Sequence, residues 1–321
     1  MSRGKKIIVS IAVVFLLIFG AVVWAVAWCY TAKPTPRTDY GAKIRELAAK
    51  DAPNPENRDR YPEFVAIVEA VGNAHAAFRE QAEAAGKRDD IKYERVIRGT
   101  ATAEERSLAD EALAFVTASG AFGRCKRLPG LRGALRTIPT GEPLLGTPLY
   151  EISFCRVAGH LQVLRLRRAL EADDSANALA AAREILAMTD ILAQQGSMLD
   201  ASILFRTRRL LYDAMAQACD DGLVSGVSAR ELVALLSDYA LTPTSARAVS
   251  LERYIGLDMI QWTYTDNGRG DGLAIMTEIK RLDGSDTPPK LDNIAAFVMP
   301  SGKEAEEHMS TSYDALVGFA A

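Results

Sequence analysis

RVAGHLQVLRLRRALEADDSANALAAAREILAMTDILAQQGSMLDASILFRTRRLLYDAMAQA, residues 156–218, decides the fold class. It lies inside Leu149–Tyr239, the most strongly patterned part of the chain. Leu149–Ala172 reads as a helix, Asp173-Asp174-Ser175 as a tight turn and Ala176–Gln195 as the returning helix. Gly196 ends that helix, and Ser197 can cap the next, which runs to Asp220 and stops at Gly222. Ser228-Ala-Arg-Glu231 has the spacing of a capping box and opens a helix through Leu232, Leu235, Leu236 and Tyr239. Helices joined by such short turns form antiparallel hairpins.

Working outward, Tyr40–Lys50 reads as a modest helix stopped by Ala52-Pro53-Asn54-Pro55. A second helix starts near Tyr61-Pro62, with Phe64, Ile67, Val68, Val71 and Phe78 at core spacing. Thr102-Ala-Glu-Glu105 is another capping box. Gly120–Pro148 has no sustained period and carries Arg124, Lys126, Arg127, Arg132 and Arg136 before any acid. It reads as a solvated surface loop, or as a docking site for an anionic partner or headgroup. Beyond it a helix is expected over Ser245–Tyr264, then a turn at Asp266–Gly272 that fails as a calcium loop, a short helix over Leu273–Leu282 and a loop-rich tail.

The N-terminus is of another kind. Ile7–Cys29 contains no charge and follows Arg3, Lys5 and Lys6. At about 1.5 Å per residue it spans roughly 33 Å, enough for a bilayer core. Trp24, Trp28 and Tyr30 suit the far interface, and Lys33-Pro34-Thr35-Pro36 is a spacer that cannot continue the helix. An uncleaved anchor fits best. A cleaved signal would need a shorter apolar core, although Ala25-Val26-Ala27 supplies an exit; a lipoprotein signal would need a small residue where Trp28 stands. The leading basic residues put the N-terminus in the cytoplasm of a bacterial inner membrane and the body outside it. The expected layout is a basic tail at 1–6, the anchor at 7–29, a spacer and short helix at 30–60, a helical-hairpin domain at 61–265 with its core at 149–240, and a tail at 266–321. The fold class is all-α: an N-terminal transmembrane helix followed by a bundle or short solenoid of antiparallel helical hairpins.

Net charge is −3 over 321 residues, but the five basic side chains before Thr38 meet no acid, which leaves −8 for the rest. Such a body has no general electrostatic reason to bind nucleic acid. Cys29, Cys125, Cys155 and Cys219 form no C-x-x-C, which argues against zinc and thioredoxin-type chemistry and for buried thiols. No nucleotide-binding, hydrolase or metalloprotease motif occurs, and His75, His160 and His308 are widely spaced. Neither a cofactor nor a metal is expected. A helical wheel places Arg165 and Arg168 in the apolar arc of their helix, where they snorkel or meet carboxylates such as Asp190, Asp200 or Asp213. The candidate groove for a ligand or partner therefore comprises Arg165, Arg168, Arg206, Asp190 and Asp213. Lys5, Lys6, Trp24 and Trp28 flank the membrane segment.

Leu164-Arg-Leu-Arg-Arg-Ala-Leu170 aligns with Phe205-Arg-Thr-Arg-Arg-Leu-Leu211 at an offset of about 41, a spacing found in helical repeats. The hairpin resembles a group of uncharacterised, helix-rich, single-span bacterial proteins, often planctomycete, with tetratricopeptide-like hairpins. Leu164, Arg165, Ala169, Asp174, Ala178 and Leu186 match their pattern, while Asp173 replaces the glycine usual at the turn. The resemblance implies a location and no activity. The expected role is a membrane-anchored scaffold for another membrane or envelope protein. The alternative is an extracytoplasmic enzyme or small-ligand binder with a site among the central helices.

Overall fold

The computed structural model describes residues 3–50, 54–87, 91–138, 143–144, 149–195, 197–224, 226–239, 245–265, 272–282, 293 and 299–320. Its regular elements are helices, and the one extended pairing among the described residues is a single bridge between Tyr264 and Ala274. The first six helices are α1 (Arg3–Thr31), α2 (Tyr40–Lys50), α3 (Tyr61–Ala84), α4 (Tyr93–Ile97), α5 (Ala103–Ala118) and α6 (Ala121–Cys125). Next come α7 (Glu151–Glu171), α8 (Ser175–Gln195), α9 (Met198–Asp220) and α10 (Gly226–Asp238). The chain closes with α11 (Ser245–Thr263), α12 (Met276–Leu282) and α13 (Gly302–Ala320).

Two compact units result, each assembled from distant segments. One comprises Met1–Ala42, Pro139–Thr147 and Arg253–Phe319, and contains α1; the other comprises Lys43–Ile138, Pro148–Glu252 and Ala320–Ala321, and contains α7–α9. These units do not follow the linear boundaries at 60 and 265 expected from the sequence.

In the α7–α9 unit, α7, α8 and α9 each pack on the other two, and α3 lies across α7. Leu161, Leu164, Leu166, Ile185, Leu186, Ile191 and Leu192 fill the middle and are fully buried. Gly159 lets α9 approach α7 closely, because a Cβ there would stand 2.7 Å from Thr207 Oγ1. The capping box at Thr102 and Glu105 forms in both directions, and Ser197 Oγ accepts from Asp200 N. At Ser228, however, the structure differs: α10 begins two residues earlier, so Ser228 lies inside the helix.

Two stretches read as irregular are ordered. Within 120–148, α6 and a 3-10 turn at Leu128–Leu131 bury Phe122, Cys125, Leu128, Leu131 and Ala134 against the core, so this is no solvated loop. The apolar residues recur about every third position, a tight-helix period that the interspersed glycine and proline obscure. In the expected loop-rich tail, α13 opens on Ser301-Gly-Lys-Glu304, whose Ser301 N donates to Glu304 Oε2 at 2.8 Å while Glu304 N donates to Ser301 Oγ at 3.3 Å. It packs on α11, with Met309 filling the space beside Gly256 and Arg253 Nη1 bonded to Asp314 at 2.6 Å. The expected turn at 266–271 and loop at 283–289 lie outside the described residues.

α1 contains the one described helix long and apolar enough to cross a membrane, Val13–Thr31, with mean hydropathy 2.4 and an exposed surface. It ends at Thr31, as the spacer requires.

The α7–α8 turn shows how the sequence fixes a corner. Asp174 N donates to Ala169 O at 2.8 Å and Asp173 N to Leu170 O at 3.1 Å, the double closure of a helix C-terminus that needs a left-handed residue. That residue is Asp173, at φ +54°. Asp174 then caps α8 through Asn177 N. Asp173→Gly should relieve the Cβ crowding and stabilise the full-length protein by about 0.5–1 kcal/mol, read as a higher urea midpoint in detergent; a lower midpoint would refute the strain.

Candidate functional site

The five groove candidates do not converge. Arg165 Nη1 binds Glu184 Oε2 at 2.8 Å, shares that carboxylate with Gln162, and lies over the Phe122 ring. Arg168 forks onto Asp110 at 2.8 and 2.9 Å and also meets Glu171. Arg206 pairs with Glu94, Asp190 with Arg132 and Asp213 with Arg98. Each therefore sits in its own ion pair, and the carboxylates that meet Arg165 and Arg168 are not those expected. Of the membrane flanks, Lys5 and Lys6 lie in the first turn of α1, Trp24 is exposed and Trp28 half-buried.

The densest polar cluster lies at Arg136. Its Nε donates to Glu151 Oε1 at 2.8 Å, and its Nη1 and Nη2 reach the two oxygens of Asp200 at 3.0 and 2.9 Å. Asp200 is wholly buried and Glu151 is 3% exposed. Tyr61 Oη accepts from Arg136 Nη2 and donates to Glu151. The Arg136 backbone N–H donates to Gln195 Oε1, and Gln195 Nε2 returns to Ala134 O. Burial opposes the guanidinium charge, but Asp200 first, with Tyr61 and Glu151, more than offsets it, so its pKa is raised. Burial pushes the Tyr61 phenol up. Every partner is satisfied, so the cluster has nothing left for a ligand.

A second convergence was invisible in sequence spacing. His75 and His160 flank the Tyr93 ring at centroid distances of 5.7 and 5.9 Å. His75 Nε2 and Tyr93 Oη are buried without a hydrogen-bond partner. Burial lowers both imidazoles to about 4; the Glu94 carboxylate beside His160 works against that shift, and Arg79 adds to it at His75. Burial pushes the Tyr93 phenol up. His75 is buried, whereas His160 keeps 14% of its side chain exposed, with its Nε2 3.6 Å from Glu94. Burial likewise raises the Cys125 thiol to about 12 and Cys155 well above its usual value, while Cys219 is exposed. Among the described residues no three His, Cys, Asp or Glu side chains are placed to hold a metal ion.

What remains open is on the surface. The outer side of α9 carries Met198, Ser202, Phe205, Arg209, Tyr212 and Ala216, all exposed. At 100° per residue they fall within roughly 80° of arc. Phe205 is 45% and Tyr212 43% exposed, large values for aromatic rings. In the α1 unit, residues 36–41, Leu144 and α11 line a cavity of about 300 Å³ bordered by Asp258 and Trp262.

No described protein family, curated protein or solved structure matches the chain.

Two outcomes test these assignments. Arg136→Met strands two buried carboxylates and should cost about 3–5 kcal/mol in urea unfolding of the full-length protein; a loss within experimental error would place the cluster outside the cooperative core. The histidines titrate near 6.5 unfolded and about 4 folded. Between those values the unfolded chain binds more protons, so stability is complete above about 6.5 and falls as pH drops toward 4. His75→Phe should flatten that acid dependence of Tm; an unchanged slope would reject a buried neutral His75.

Proposed function

We propose that the protein is a single-span protein of a bacterial inner membrane whose helical-hairpin body serves as an extracytoplasmic binding module for another envelope protein. The observation that carries this reading is the outer face of α9. Phe205 and Tyr212, seven residues apart, stand exposed on one stripe with Met198 between polar neighbours. Aromatic rings displayed at this spacing suit an amphipathic helix laid alongside. The α7–α9 interior speaks against chemistry within it, since its arginines and carboxylates are consumed by one another. Arg3, Lys5 and Lys6 before the apolar stretch support a cytoplasmic N-terminus, and exposure along Val13–Trp24 supports lipid contact. Kinship with single-span, helix-rich planctomycete proteins belongs to the same proposal and adds location rather than activity. No catalytic step or cofactor is part of it.

A photoreactive residue at Phe205 or Tyr212, irradiated in intact membranes, should yield a discrete protein adduct that the same residue at exposed Glu80 does not. Phe205→Glu with Tyr212→Glu should reduce partner recovery at least about tenfold, the loss expected of a central aromatic pair. Absence of any adduct at both stripe positions would overturn the reading. Orientation is separately testable, since a reporter at Ala321 active only in the cytoplasm would reverse it.

A further inference from the structure

The cavity in the α1 unit lies a few residues beyond the end of the apolar helix. Hydrogen bonds centred on Gln261 and Asp258 build it. Gln261 Oε1 accepts from Arg37 N and Thr38 N at 3.2 and 3.1 Å, while its Nε2 donates to Thr38 O at 2.8 Å, so one side chain holds the exit segment by both edges. The same Nε2 donates to Asp258 Oδ1 at 2.8 Å. Leu144 N donates to Asp258 Oδ2 at 2.7 Å, and the Trp262 side chain also bonds this carboxylate. The space is a half-open cleft of about 300 Å³, within the size range of small-ligand pockets.

Its buried end is acidic. Asp258 is only 3% exposed, and every donor named above is neutral. Its acidic neighbour Asp39 adds negative potential, and burial is the main cause that raises the Asp258 carboxyl from its usual value. Arg253, the basic side chain acting on nearby Tyr40, is bonded to Asp314. Three neutral donors leave one of the roughly four acceptor positions of a carboxylate open. A buried carboxylate of this kind gains most from a cation, and Tyr40 and Trp262 add ring faces that attract one. Arg37 stands on the rim.

We propose that the cavity bordered by Asp258, Trp262, Tyr40 and Arg37 is a binding site for an organic ammonium group, carried either by an aminoethyl phosphodiester lipid headgroup or by a free primary amine. The ammonium occupies the Asp258 end of the cavity. The lipid source rests on the membrane-anchor reading; the free-amine source does not.

The test uses the full-length chain carrying Trp24→Phe and Trp28→Phe, which leaves Trp262 as the sole indole. In phosphatidylglycerol vesicles, ethanolamine should shift Trp262 emission saturably, and ethylene glycol, its neutral counterpart, should not. In native mass spectrometry from detergent, one phosphatidylethanolamine should be retained in preference to phosphatidylglycerol. Asp258→Asn should weaken either interaction at least about tenfold, the effect of losing a charge-assisted hydrogen bond. Retention of phosphatidylethanolamine without an ethanolamine response identifies the lipid source, and the reverse identifies the free amine. Equal responses to ethanolamine and ethylene glycol, with no preference among the phospholipids, overturn the site without needing a variant. That result would leave the α9 reading untouched, because its crosslinks are measured on the other unit.

Discussion

Arg136 carries one positive charge into a space that water hardly reaches and sets it against two carboxylates, each in the first turn of a helix. Glu151 begins α7 and Asp200 lies in the first turn of α9, positions where the helix dipole already favours an acid. Tyr61 opens α3, and Gln195 closes α8. Three helix ends therefore meet at one guanidinium, and a fourth, through Gln195, meets the backbone N–H of the same residue, which lies between α6 and α7. Burying any of these groups alone would be costly, and together they leave few alternatives for how the ends can be arranged. The register of α3, α7, α8 and α9 depends on this contact more than on any single apolar pair.

The same economy of partners explains why the interior offers no site. Arg165 with Glu184, Arg168 with Asp110, and Arg132 with Asp190 each bring two helices or a helix and the 120–138 segment together. Charges used in this way hold geometry, and they are not available to a substrate. Among the described residues, what packing leaves open includes the outer stripe of α9 in one unit and the cavity beside Asp258 in the other.

How much of this could be read from the chain depended on the range of the interaction. Most signals acting within one turn of helix were legible, the Ser228 box, which falls inside α10, being an exception. The Thr102 capping box, the Ser197 cap and the Asp173 corner all appear in the structure where local chemistry put them. The S-x-x-E opening of α13 was equally local and was passed over because no apolar period follows it clearly. Signals joining distant segments were not legible. Arg136 meets partners 15 and 64 residues away, and nothing in its own neighbourhood of glycine and proline marks it as buried. The wheel put Arg165 and Arg168 in the apolar arc, but it could not say that Glu184 and Asp110 stand opposite them. The approach of His75 to His160 through Tyr93 is likewise a product of α3 crossing α7, and no spacing encodes it.

The exit from α1 joins location to recognition. Cys29 is 1% exposed, and its carbonyl accepts from Asn293 Nδ2 at 3.0 Å, while Asn293 Oδ1 accepts from Thr277 N. Nine residues later, Gln261 grips Thr38 from both sides. A spacer of the composition Lys33-Pro34-Thr35-Pro36 would by itself be a semi-rigid tether; here both of its ends are bonded to the folded unit. Gln261 also donates to Asp258, so the side chain that orders the exit shares a hydrogen bond with the carboxylate that faces the cavity. An ammonium group bound at Asp258 changes what that carboxylate offers Gln261, and a change in the exit changes the carboxylate's neighbours. If an ammonium group binds as proposed, the cavity and the segment leaving α1 are coupled reciprocally, by however much free energy the Asp258–Gln261 contact differs between the two states.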